Sequence, residues 1–110
     1  MLSKISTIKK RADFLLIKNL GKKYKSNCFI IEKLLDKNLK NNIRVGYTVT
    51  KKVGNAVKRN KAKRIMRILA NKNFHKYGQL NHSYVLIAKK SIFEYTFEEL
   101  NTEFIELIKK

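Results

Sequence analysis

Between positions 43 and 50 the chain alternates strictly, with apolar Ile43, Val45, Tyr47 and Val49 separated by Arg44, Gly46, Thr48 and Thr50. A period of two sends successive side chains to opposite faces, so this segment predicts a half-buried strand. Residues 27–35, with Cys28, Phe29, Ile30 and Ile31 in a row, predict another, and polar 36–42 joins the two as a loop, so an antiparallel pair is expected. Residues 83–89 are apolar on both sides and predict a strand interior to the sheet.

The remaining segments have helical spacing. Over 10–20, Ala12, Leu15, Leu16 and Leu20 form an apolar stripe, Phe14 and Ile17 share another face with Lys10 and Lys18, and Gly21 suits a left-handed C-cap. Over 55–73, Asn55 is a natural N-cap and Ala62, Ile65, Met66 and Leu69 form the stripe, with Asn60, Lys63, Arg64, Arg67 and Asn71 roughly opposite. Near the end, Thr96 and Glu99 make a capping box, Tyr95 and Leu100 its hydrophobic staple, and Phe97, Leu100, Phe104, Leu107 and Ile108 a stripe. The first ordered element is thus a helix, and the order is helix, two or three strands, helix, strand, helix.

A chain of 110 residues, 44% hydrophobic, has the size of one domain and enough apolar surface to fold. Its formal charge of +18 calls for a polyanionic partner. The charge is segregated: Asp13, Glu32 and Asp36 are the acids before position 93, whereas Glu94, Glu98, Glu99, Glu103 and Glu106 crowd the tail. The anion-binding surface is therefore expected within the first 93 residues, with the last helix away from it. No apolar run is long enough to span a membrane or resembles a secretory signal, so a soluble, cytoplasmic protein is expected. Cys28 has no partner cysteine, and His75 and His82 form no zinc pattern. The scattered acids and two histidines compose no paired-carboxylate site or acid–base pair, and helix-surface and loop roles suit Asp13, Glu32 and Asp36 better than metal binding. A binder rather than a protein catalyst is indicated.

Residues 51–67, KKVGNAVKRNKAKRIMR, contain eight Lys or Arg and no acid. A solvated basic face is the bland alternative, but such a face would ordinarily intersperse acids; arginines here can fork onto phosphates, and Asn60 can bond a base edge, phosphate or ribose. With Thr50 in front, this run resembles the (S/T)KKxGNAVxRNRxKRxxR motif of the bacterial ribonuclease P protein subunit. The likeness extends through Lys10 to Phe14, 27–31, the RVGYTV strand and the YVLIAKK strand. Lys61 stands where the motif has an arginine, keeping charge without the planar fork. Lys18 stands where some relatives carry a second aromatic.

The resemblance implies a single 1–110 domain of α+β class: a mainly antiparallel four-stranded sheet with three helices in the order α-β-β-β-α-β-α, in the fold family named for the second domain of a small-subunit ribosomal protein, with a left-handed βαβ crossover. It implies an accessory role in ribonuclease P, an endoribonuclease whose RNA subunit, with Mg²⁺, removes the 5′ leader of precursor tRNA. The partners implied are that RNA subunit and precursor tRNA, not DNA or a membrane; the protein itself binds no cofactor and contributes no catalytic residue. Lys51, Lys52, Asn55, Arg59, Asn60, Lys61, Lys63, Arg64 and Arg67 would dock the RNA subunit. Phe14, Ile17, Lys18, Phe29, Ile31 and Tyr47 would line a leader-binding cleft between the first helix and the open sheet, core packing being the alternative for Phe14, Phe29 and Ile31. Two readings compete: a basic ribosomal or RNA-chaperone protein, and a nuclease that cuts without RNA.

Overall fold

The computed structural model describes residues 5–110. In chain order these form β1 (Ile5–Thr7), α1 (Arg11–Leu20), β2 (Lys22–Lys25), β3 (Phe29–Leu35), β4 (Ile43–Thr48), α2 (Ala56–Tyr77), β5 (His82–Ala88) and α3 (Phe97–Ile108), with short 3-10 turns at Lys37–Leu39, Lys51–Val53 and Lys90–Glu94. The strands make one sheet in the order β1-β4-β5-β3-β2. The α+β class and three helices stand, but the sheet has five strands rather than four and is mixed: β1 and β5 run parallel to β4, while β3 is antiparallel to β5 and β2 to β3.

β3 and β4 are therefore not the antiparallel pair expected from their adjacency in sequence. β5 lies between them, matched from Phe29↔Ala88 to Leu35↔His82 on one side and from Ile43↔His82 to Thr48↔Ile87 on the other. Its composition explains the central position: Tyr84, Leu86 and Ala88 bury themselves on one face of the sheet and Val85 on the other. α2 is the crossover between the parallel neighbours β4 and β5.

α2 and α3 cover one face. Phe74 packs between Tyr84 and Phe104, with ring centroids 4.7 and 5.6 Å away, and Phe29 meets Phe104 edge to face at 5.9 Å. Asn73, buried between the helices, donates to Leu69 O at 2.9 Å and Asn101 Oδ1 at 2.8 Å. The acidic last helix thus lies beside the basic one rather than apart from it. Its capping box forms as expected: the Thr96 N–H donates to Glu99 Oε1 at 2.8 Å and the Glu99 N–H to Thr96 Oγ1 at 3.2 Å.

α1 sits on the other face over a smaller cluster of Ile8, Ile17 and Val85, joined by Phe14, Leu34 and Ile87. It is rotated relative to the expected stripe: Leu15, Leu16 and Leu20 are 45%, 49% and 66% exposed, and Ile17 points inward. Apolar residues occupy most of this helix's circumference, so periodicity could not choose a face. The sheet chooses it through Arg44, whose Nη1 lies 3.4 Å from Asp13 and whose Nη2 lies 3.4 Å from Asp36, and through the seat that Gly46 offers Phe14. Gly21 is extended (φ −76°), not left-handed. It is needed for space, since a Cβ there would stand 2.6 Å from Ile17 O and 2.9 Å from Lys33 O. Among the described residues no helix is long and apolar enough to cross a membrane.

Candidate nucleic-acid interface

The approach to α2 is built by backbone restraint. Val53 is buried and anchors the turn that carries exposed Lys51 and Lys52; Gly54 takes φ +149°, which side-chain-bearing residues rarely adopt. Asn55 then caps the helix, its Oδ1 accepting the Lys58 N–H at 3.0 Å. Ala62, Met66, Leu69, Ala70 and Phe74 bury one side, and the helix continues to Tyr77, a turn beyond the expected end. The other side presents Asn60, Lys61, Arg64 and Arg67 to solvent, with Arg59 and Lys63 half-buried at its edge.

The three ion pairs among the described residues are Lys23–Glu32, Arg44–Asp13 and Arg44–Asp36, and none involves α2. Its cations instead lean on rings: the Arg67 guanidinium stands 5.7 Å from the Tyr47 centroid and Lys61 Nζ 5.9 Å from Phe93. Burial raises the Tyr47 phenol above its ordinary pKa, with the charge of Arg67 pulling the other way. Arg59 Nε is buried without a hydrogen-bond partner among the described residues, a donor that an incoming acceptor would satisfy.

Beside this helix a groove of about 490 Å³ is lined by Lys9, Arg11, Phe14 and Leu15 at the start of α1, Tyr47, Thr48 and Val49 at the end of β4, and Lys63 of α2. The seat of Phe14 depends on a missing side chain, since a Cβ at Gly46 would lie 2.6 and 2.8 Å from Phe14 Cε1 and Cζ. Two aromatic residues thus line the groove among three cations, with no acid in the lining. Of the residues read from sequence, Phe14 and Tyr47 share this groove with Lys63 of the basic helix.

Other expected cleft residues are elsewhere. Phe29 and Ile31, 0% and 1% exposed, point into the core under α2 and α3, because odd positions of β3 face that side. Ile17, 1% exposed, is packed beneath α1. None of the three can meet a nucleotide, and that part of the expectation is corrected. Lys18 is exposed near the C-terminus of α1, outside the groove, and its carbonyl accepts from Lys23 Nζ at 2.7 Å. Lys9, Arg11, Leu15, Thr48 and Val49 were missed. The available signal was Gly46, a glycine inside an alternating strand, which marks the close approach of another group. Asp13 and Asp36 are held by Arg44 and Glu32 by Lys23, and no cluster of three potential metal ligands occurs among the described residues.

Comparison with known proteins agrees with this geometry. The Ribonuclease P family model matches residues 2–110. The ribonuclease P protein component of Mycoplasma mycoides is 35% identical over 103 residues, 94% of this chain and 93% of that protein. That of Bacillus pumilus is 34% identical over 109 residues, 99% and 90% of the two chains. Among solved structures, the RNase P protein of Staphylococcus aureus superposes with a TM-score of 0.82 at 31% identity, covering 96% of this chain and 94% of its own. That of Thermotoga maritima gives 0.83 at 26% identity, covering 94% and 96%. The ribosomal or chaperone alternative is not favoured by these likenesses, and the chain belongs to the ribonuclease P protein family, as a protein component of that enzyme.

Proposed function

We propose that the chain docks the catalytic RNA subunit through the exposed face of α2 and holds the 5′ leader of precursor tRNA in the adjoining groove, while the RNA subunit and its Mg²⁺ carry out the hydrolysis in the cytoplasm. The continuity of the two surfaces carries this reading: Phe14, seated on Gly46, and Tyr47 share one groove with Lys63 of the basic helix. A strand crossing it would meet phosphate-binding cations and stacking rings together. Base stacking on aromatic rings contributes about 1 to 3 kcal/mol per base with little sequence demand, which suits a subunit that must accept many leaders. The protein's own groups then bind and position, screening repulsion between two polyanions and favouring substrate over leaderless product. Neutralising ~6 phosphates gives a log–log salt slope of roughly −4 to −5, so binding is steeply salt-dependent.

The test compares leader-bearing and mature tRNA for affinity to the assembled ribonucleoprotein. Phe14→Ala is expected to shrink the preference for leader by about five- to a hundredfold, the equivalent of one stacked base. A preference equal to that of the unaltered protein removes the leader from this groove.

A further inference from the structure

At the end of the sheet where β4 and β5 begin, opposite the end from which the chain enters α2, a second concavity of about 390 Å³ opens. Lys22, Lys33 and Lys110 line it together with Tyr24, Leu20 and Leu35, and no Asp or Glu does. Lys22 and Lys33 stand directly opposite one another across β2 and β3. At the very next register position the same strands pair Lys23 with Glu32, at 3.1 Å. One cross-strand pair is therefore compensated and its neighbour is not, although like charges directly opposite destabilise a sheet.

Lys33 is the constrained member. Its Nζ donates to Lys110 O at 3.5 Å and lies 5.9 Å from the centroid of Tyr84, and no Asp or Glu side chain among the described residues pairs with it. Burial, and then the charge of Lys22, hold its ammonium below the ordinary lysine pKa, a shift that a bound anion would reverse. Leu20 and Leu35, 66% and 54% exposed, put apolar surface beside these cations. Cations adjoining an apolar shelf match a nucleotide, which carries a phosphate next to a sugar and a base.

We infer that this concavity is a second RNA site, which takes a phosphodiester between Lys22, Lys33 and Lys110 and lays the adjoining sugar or base over Leu20 and Leu35, so that the protein grips RNA at both ends of its sheet. The inference rests on the chain being an RNA binder, and its test separates the two claims. The full chain is titrated with a bacterial ribonuclease P RNA transcript, in parallel with Lys22→Gln/Lys33→Gln and Arg64→Ala/Arg67→Ala, and lysine acylation is mapped by mass spectrometry with and without RNA. The lysine variant should bind several-fold more weakly, with a salt slope shallower by about 1 to 2, and saturating RNA should protect Lys22 and Lys33 from acylation. Relief of their mutual repulsion should leave its melting temperature no lower, and Lys22→Gln alone, at an exposed position, should give about half the change in slope, near 0.7 to 0.9. If Arg64→Ala/Arg67→Ala weakens binding while the lysine variant keeps full affinity and slope, the second site is overturned and RNA binding by α2 stands. Protection of Lys22 and Lys33 by inorganic pyrophosphate but not by RNA also overturns it. If neither variant loses affinity, the RNA-binding reading fails with it.

Discussion

α2 and α3 lie side by side on the same face of the sheet, and their charges follow opposite rules. α3 begins with a capping box and has Glu98 and Glu99 in its first turn, where carboxylates favour the positive end of the helix dipole. α2 places Lys58, Arg59, Lys61, Lys63 and Arg64 in its N-terminal half, towards the end where cations are disfavoured, and Arg67 just beyond, with no acid anywhere along it. Both are anchored by buried apolar residues: Leu100, Phe104, Leu107 and Ile108 in one, Ala62, Met66, Leu69, Ala70 and Phe74 in the other. α3 carries its own compensation, whereas the cations of α2 have no ion-pair partner among the described residues, a charge that the proposed RNA docking would neutralise. The contrast supports the proposed surface without reference to any relative.

The largest effect that separates the helices is expected from Phe104→Ala. It removes the ring shared by Phe29 and Phe74 and should cost about 3 to 5 kcal/mol in urea unfolding, with RNA affinity retained by the fraction that stays folded. Next, Arg64→Ala/Arg67→Ala should do the reverse. Loss of charge-assisted contacts at about 1.5 to 3 kcal/mol each would lower RNA-subunit affinity by tenfold or more, while removal of like charges leaves the melting temperature unchanged or higher. A melting temperature that fell with affinity would erase the distinction between the helices.

Smaller effects sharpen it at the caps. Thr96→Ala and Asn55→Ala should each cost about 1 kcal/mol of stability, but Asn55→Ala alone should also weaken RNA binding, because the Asn55 cap holds the first turn of α2, from which Lys58 and Arg59 project. The smallest change concerns Cys28, whose thiol hydrogen-bonds Glu103 of α3 at 3.1 Å. Burial first, then the Glu103 hydrogen bond and charge, push its pKa up to about 12 from an ordinary value of 9.0. The folded state therefore keeps a proton that the unfolded chain loses, and stability should fall as pH rises from about 9 towards about 12. Unfolding curves of Cys28→Ala should show a shallower decline across that window, and identical slopes would remove Cys28 as a contributor.

α2 and α3 were legible in sequence because each carries a cap and one clear apolar stripe, and β5 because it is apolar on both sides. Less legible was anything decided by partners distant in the chain. β1 has only three residues and pairs with β4 through registers such as Ile5↔Ile43, so no local period marks it. Separation of β3 from β4 by β5 is a property of the whole sheet. The orientation of α1 depends on Arg44 and Gly46, about thirty residues away, which is why local periodicity alone puts its outward leucines in the core and Ile17 on the surface. In the candidate site the cations on α2 could be read directly, because a helical face follows from spacing alone. The groove could not, since it exists only where Phe14 meets the strand that leads into α2. Phe29 and Ile31 read as cleft residues from sequence because period two separates a strand's faces without saying which face stays open.

The central claim is that this chain supplies charge and a groove to an RNA that performs the reaction. Cleavage of precursor tRNA by the catalytic RNA subunit at low Mg²⁺, with and without the protein, tests it most directly. Efficient 5′-leader removal only when both are present, lost in the Arg64→Ala/Arg67→Ala variant and steeply reduced by added salt, is the predicted result. Equal cleavage without the protein, or cleavage by the protein in the absence of the RNA subunit, would contradict it.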